Sequence, residues 1–147
     1  MSKTADTLTT HLGQILSDTY ALAIKSHAAH WNLTGAQFFA LHEAFGSQYE
    51  ALTAAADELA ERLRALGAKA PSGIQALTKA TSIADITSTD GLALAKALHA
   101  DHVALSKLLA KAVMVAQSEH DEATTDLLIG RIAEHDKTAW MLKATIS

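Results

Sequence analysis

An all-helical four-helix bundle with one long crossover is the fold class these 147 residues predict, and three observations predict it. Hydrophobic residues make up 49%, much of that alanine, while glycine numbers 7 and proline 1, so the frequent turn residues of a sandwich or barrel are missing. Apolar residues recur at alternating steps of three and four, the period of a helix with one buried stripe. The breaks are few: Leu33-Thr34-Gly35, "GAKAPSG" and "SEHDEA".

The first helix is expected from Thr4 to about Asn32, on a stripe of Leu8, Leu12, Ile15, Thr19, Leu22, Ser26, Ala29 and Leu33. Gly35 then marks a short turn. A second helix follows from Phe38 to Leu66 through Leu41, Phe45, Leu52, Leu59 and Leu63, and it stops at a strong helix-end signal. "IQALTKATSIADITSTDG" is too long for a plain turn and too patterned for a linker, so a short helix inside a crossover is expected. A third long helix runs from Asp90 to about Ser118 through Leu94, Leu98, Leu105, Leu109 and Ala112. The fourth carries Leu128, Ile132, His135, Ala139, Leu142 and Ile146. Residues 1–147 thus read as a single domain with an outline that several crossover bundles share.

Composition removes several functions. Without cysteine there are no disulfides, thiolate metal sites or cysteine nucleophiles. Twelve basic against sixteen acidic side chains give a charge of −4, and "MSKTAD" and "KATIS" at the two ends offer one lysine each. Direct DNA binding, which needs basic patches to displace counterions, has no visible support. No run approaches ~18 apolar residues and the first residues lack a signal-peptide pattern, so a cytoplasmic protein without a membrane segment is expected.

Eight histidines are the place to look for chemistry. On the second helix His42, Gly46, Thr53, Asp57, Ala60 and Glu61 fall on one flank of the core stripe, and Asp57 and Glu61 stand at i and i+4. On the first helix His27 and His30 flank the stripe beside Leu12, Leu16, Tyr20 and Ala23. The turn at Leu33 to Gly35 lets His30 meet His42. Asp57, however, lies fifteen residues beyond His42 on the same helix, roughly 22 Å away, which no single metal spans. If the two histidines and two acids form one site, the acids must come from a second copy, in a twofold dimer with two equivalent sites. Small residues at Gly46, Ala56 and Ala60 would let the partners approach. Imidazole and carboxylate together suit iron, manganese or zinc rather than calcium. Spacing alone leaves a plainer account standing: satisfied histidines beside the core, and solvated acids with Glu61 paired to Arg62 or Arg64.

"HWNLTGAQFFALHEAF" at residues 30–45, followed by Asp57 and "AERL" at 60–63, resembles the signature of the Dps family, the DNA-protection-during-starvation proteins or mini-ferritins. "DEATTDLLIGRIAEHDKTAWML" at 121–142 is similar to the family's last helix, so nearly the whole chain is covered. The resemblance implies a ferritin-like bundle and a dodecameric shell that stores ferric mineral. It also implies a ferroxidase centre at each twofold interface, built from His30 and His42 of one subunit and Asp57 and Glu61 of its partner. Iron, in one or two positions, is the implied metal, with zinc as a substitute that does not turn over. Hydrogen peroxide is the implied oxidant. Trp31 matches the tryptophan beside that centre, where it either relays an oxidising equivalent or fills the interface.

Asp121 and Asp126 align with acids of the family's threefold iron pores, although Asp121 also stands where a helix cap is expected. Many members carry an acid four residues after the second histidine; Gly46 stands there instead, so the second iron position would depend more on water or other side chains. His99, His102, His120 and His135 lack motif support and are assigned to packing or surface. Two other classes compete with the ferroxidase: a non-enzymatic nucleoid-associated or structural oligomer whose metal only holds the dimer, and a helical oligomerisation module with no metal. For the ferroxidase, removal of iron and peroxide would protect DNA without contact.

Overall fold

The computed structural model describes residues 7–147 and consists of five helices: α1 (Leu8–Asn32), α2 (Phe38–Ala65), α3 (Ile74–Ala80), α4 (Gly91–Ser118) and α5 (Glu122–Ile146). The expected start at Thr4 and the lysine of "MSKTAD" lie outside the described residues. Thr7 caps α1 by accepting from the Thr10 amide, Asp90 caps α4 by accepting from Ala93, and Asp121 caps α5 by accepting from Thr124. Gly67, at φ +86°, ends α2 in the left-handed conformation that glycine adopts without a Cβ penalty.

The expected stripe of α1 is buried along its full length, from Leu8 through Ser26 to Leu33. It packs along α2, while α4 packs along α5, and α1 against α4 joins the two halves. Phe45, Leu12, Ile15, Leu59, Leu98, Leu105 and Leu128 form the sealed centre, each worth roughly 1.5–3 kcal/mol of transfer free energy. A half-buried Lys25–Asp101 pair at 2.7 Å adds a polar tie between α1 and α4.

Thr34, in the turn after α1, donates its amide to the Thr89 carbonyl at 2.8 Å, so the end of α1 lies beside the start of α4. The start of α2 lies at that end as well, and therefore α2 and α4 run parallel. Residues 66–90 must then traverse the length of the bundle. Asp18, buried on α1, holds this crossover down. Its carboxylate accepts from the Thr81 hydroxyl at 2.8 Å, the Ser82 amide at 2.6 Å, the Ser82 hydroxyl at 2.9 Å and the Gln14 amide at 3.2 Å. The short helix α3 buries none of its residues and leaves Ile74 exposed.

Candidate metal centre

The last turn of α1 and the first turns of α2 meet across a five-residue connection, in which buried Leu33 plugs the core and Gly35 takes φ +116°. This brings the imidazoles of His30 and His42 face to face, with centroids 3.8 Å apart and planes 15° from parallel. Each ring then addresses the other's backbone: His30 Nδ1 lies 2.6 Å from the His42 carbonyl, and His42 Nδ1 lies 2.8 Å from the His30 carbonyl. A carbonyl only accepts, so both Nδ1 atoms carry the proton. In the neutral rings both Nε2 atoms are left with lone pairs, which is the tautomer a metal requires. The His30 carbonyl is one of the four that a helix end leaves without an intrahelical donor, so the lock also satisfies α1.

Asp57 and Glu61 are exposed on the far half of α2 and make no hydrogen bond or ion pair within the described chain. The guanidinium groups named as their competitors are engaged elsewhere: Arg62 grips Asp121 at 2.9 and 3.1 Å, and Arg64 donates to the Ala68 carbonyl. Asp57 lines an open groove with Leu16, Tyr20, Tyr49, Ala60 and Leu77. Among the described residues no group of three or more histidine, aspartate or glutamate side chains converges to hold a metal. One chain therefore presents two halves of a donor set at opposite ends of α2: two imidazoles with bare nitrogens, and two free carboxylates. Both halves fit iron in chemistry, and neither suffices alone.

Trp31 is 64% exposed, its ring 4.0 Å from His27. His27 in turn stacks on Tyr49 at 3.6 Å, which makes it a packing partner of the cluster. Phe38 stacks on His42 at 5.0 Å. Tyr49 lies outside the motif at residues 30–45, whereas Phe38 lies within it.

Of Gly46, Ala56 and Ala60, the small residues expected to make room for a partner, Gly46 needs correction. The space over Gly46 is taken by the chain's own His30, whereas Ala56 and Ala60 both line the open groove. A glycine inside a strongly helical segment was the signal of such a close approach.

Asp121 is an N-cap in full. Thr124's hydroxyl and amide hold its carboxyl below the usual range, and Arg62 adds to this. Its charge is thereby compensated within the chain, whereas Asp126 is exposed and unpaired. A second histidine pair, without motif support, lies in the core between α4 and α5. His102 Nδ1 and His135 Nδ1 are 2.8 Å apart, and both residues are buried.

A family model described as a ferritin-like domain matches residues 9–147. The chain is 34% identical over 139 residues to the DNA protection during starvation protein 2 of Bacillus anthracis, covering 92% of this chain and 94% of that one. Among solved structures, the Dps protein of Vibrio cholerae, described as a member of a broad superfamily of ferritin-like diiron-carboxylate proteins, superposes with a TM-score of 0.92. It is 30% identical and covers 95% of this chain and 89% of its own. The Dps protein of Bacillus brevis gives a TM-score of 0.92 at 31% identity, covering 95% of both chains.

Proposed function

This chain belongs to the Dps family of ferritin-like proteins, and on that premise we propose that it is a ferroxidase. It oxidises ferrous iron, preferentially with hydrogen peroxide, and stores the ferric product inside a homododecameric shell. The observation that carries the reading is the reciprocal Nδ1 lock of His30 and His42, which prepares two nitrogen donors for a metal and leaves the site half built.

Twofold pairing with antiparallel α2 helices supplies the other half, because it carries each chain's Asp57 and Glu61 to its partner's histidines, twice over. Supporting it is the apolar fringe on α1, α2 and α3: Ile24, Trp31, Phe39 and Ile74 are 57%, 64%, 85% and 79% exposed in the single chain. The imidazoles set the position of the iron without adding charge. Asp57 and Glu61 offset the cation, and they favour the ferric product more than the ferrous substrate because its charge is higher. Two ferrous ions give one electron each to hydrogen peroxide, its O–O bond breaks, and with two protons both oxygens leave as water. No odd electron remains to release hydroxyl radical. Zinc can occupy the same ligands but has no electron to give. With −4 per chain, protection of DNA is chemical rather than by coating the duplex.

The test is anaerobic addition of ferrous iron and peroxide to the purified assembly. One peroxide consumed per two irons, inhibited by zinc, is expected. An intact shell that consumes none overturns the proposal in favour of a structural oligomer.

A further inference from the structure

We infer that Gly46 is a positioning residue of the candidate iron site: its missing side chain is the seat on which the His30 ring rests while Nδ1 reaches the His42 carbonyl. The inference rests on the ferroxidase reading for its functional consequence, though not for its geometry.

A helix interior penalises glycine relative to alanine, and α2 elsewhere meets its need for small residues with alanine, at positions 44, 51, 54, 55, 56 and 60. Gly46 is therefore a departure that asks for a reason. A Cβ built on it would stand 2.9 Å from His30 Nδ1, closer than real Cβ contacts come, and at a tight 3.0 Å from Cε1. Nδ1 is the atom that donates to the His42 carbonyl at 2.6 Å, and residue 46 is one helical turn beyond residue 42. That carbonyl faces the amide of residue 46 along the helix, so a side-chain donor can reach it only by coming down onto the same turn. A methyl group at 46 occupies the approach and, unlike the acid that many family members carry here, offers Nδ1 no acceptor in exchange. The His30 ring cannot yield sideways without cost, since its other constraint is the stack on His42 at 3.8 Å. Moving it outward lengthens the Nδ1 hydrogen bond, and with that bond gone nothing else in the described chain fixes which His30 nitrogen is protonated.

The test compares Gly46→Ala with Gly130→Ala, the latter a helical glycine with nothing within 4 Å. In the metal-free wild type, nitrogen-15 spectra of the imidazoles should show His30 and His42 as Nδ1–H tautomers. Gly46→Ala should lose that pattern at His30 and bind cobalt(II) ~10-fold or more weakly, the usual cost of losing a ligand's supporting hydrogen bond. Its melting temperature should not fall in proportion. Gly130→Ala should keep both the pattern and the affinity. A wild type with the Nε2–H tautomer at His30 overturns the inference whatever the variant does, and so does a Gly46→Ala protein with unchanged tautomer and affinity. If the wild type oxidises no iron while Gly46→Ala still shifts the His30 tautomer, the seat stands and the ferroxidase reading falls.

Discussion

His30 and His42 join α1 to α2 much as His102 and His135 join α4 to α5, yet the two pairs spend their nitrogens differently. In the first pair both Nδ1 atoms are tied to backbone carbonyls and both Nε2 atoms remain bare, in half-exposed rings. In the second, Nδ1 faces Nδ1 at 2.8 Å between two buried rings. Arg131 approaches His135 Nε2 at 3.4 Å, and a guanidinium only donates, so His135 donates through Nδ1 and His102 accepts. The remaining His102 Nε2–H is buried with no partner among the described residues. Burial pushes His102 down to about 4 and His135 to about 3, with the Arg131 charge adding to both. Identical side chains are thus left with bare Nε2 nitrogens where carbonyls fix their tautomer at the surface, and form a neutral structural strut where burial denies them a charge.

The largest effect that separates the pairs is on catalysis. His42→Ala should abolish peroxide consumption, and so should Asp57→Ala, whereas the core pair can be replaced without touching the reaction. Site sharing makes a further demand. When the two inactive variants are mixed and reassembled, a mixed dimer holds one site with both defects and one with neither. Equal mixing should therefore restore about a quarter of wild-type activity. No recovery from a shell verified to contain both chains would show that the four residues do not share a site.

Acid should act on the core pair. From the ordinary imidazole value of 6.5, the folded values of His102 and His135 are depressed, so below pH 6.5 the unfolded chain binds protons that the folded chain refuses. Stability contributed by the pair is complete above about 6.5 and is lost as pH falls toward 4. The loss by pH 4 is on the order of a few kcal/mol. Charged neighbours set its details: Arg131 and His99 face His102, while Glu58 and Glu134 face Arg131. Urea titrations of wild type and of the His102→Leu/His135→Leu double variant should diverge over that window, with the leucine pair flatter. Parallel curves would remove the strut from the acid response. At neutral pH, His135→Ala should cost about 3 kcal/mol, because it opens a cavity and strands His102. His42→Ala, half-exposed, should cost about 1 kcal/mol.

This contrast also explains what was legible in the sequence. The stripes of α1, α2 and α4 were legible because each buried position recurs with the helical period, and Thr19 and Ser26 were placed inside by spacing despite their hydroxyls. His30 and His42 were legible because they lie only twelve residues apart within one contiguous motif, on either side of a short turn. Asp57 and Glu61 were singled out by their i, i+4 spacing on one flank of α2, and helix length then assigned them to a second copy of the chain. His102 and His135 lie 33 residues apart on separate helices, with no motif and no period in common, so only packing reveals that they touch. The same holds for Asp18, whose partners are 63 and 64 residues away. Gly46 was read as room for a neighbour, but which neighbour depends on the direction of a side chain, and helical spacing does not carry that.

A third histidine tests the same lesson at its smallest scale. His120 belongs to neither pair: it is exposed, has no side-chain partner in the described chain, and sits at φ +57° just past α4. The Asp121 amide bonds back to the Ala116 carbonyl at 3.0 Å across this turn. The end of α2 is built alike, with the Ala68 amide on the Leu63 carbonyl at 3.1 Å, but there the left-handed position is Gly67. A Cβ in that conformation costs roughly 1–2 kcal/mol, partly offset because glycine gains more freedom in the unfolded chain. His120→Gly should therefore stabilise the fold by about 0.5–1 kcal/mol and Gly67→Ala should destabilise it by a similar amount. Both are measurable as shifts of a few degrees in Tm, with iron oxidation unchanged. If His120→Gly instead lowered Tm, the imidazole would be making a contact that the single chain does not contain, and the surface around the α4–α5 turn would be a subunit interface.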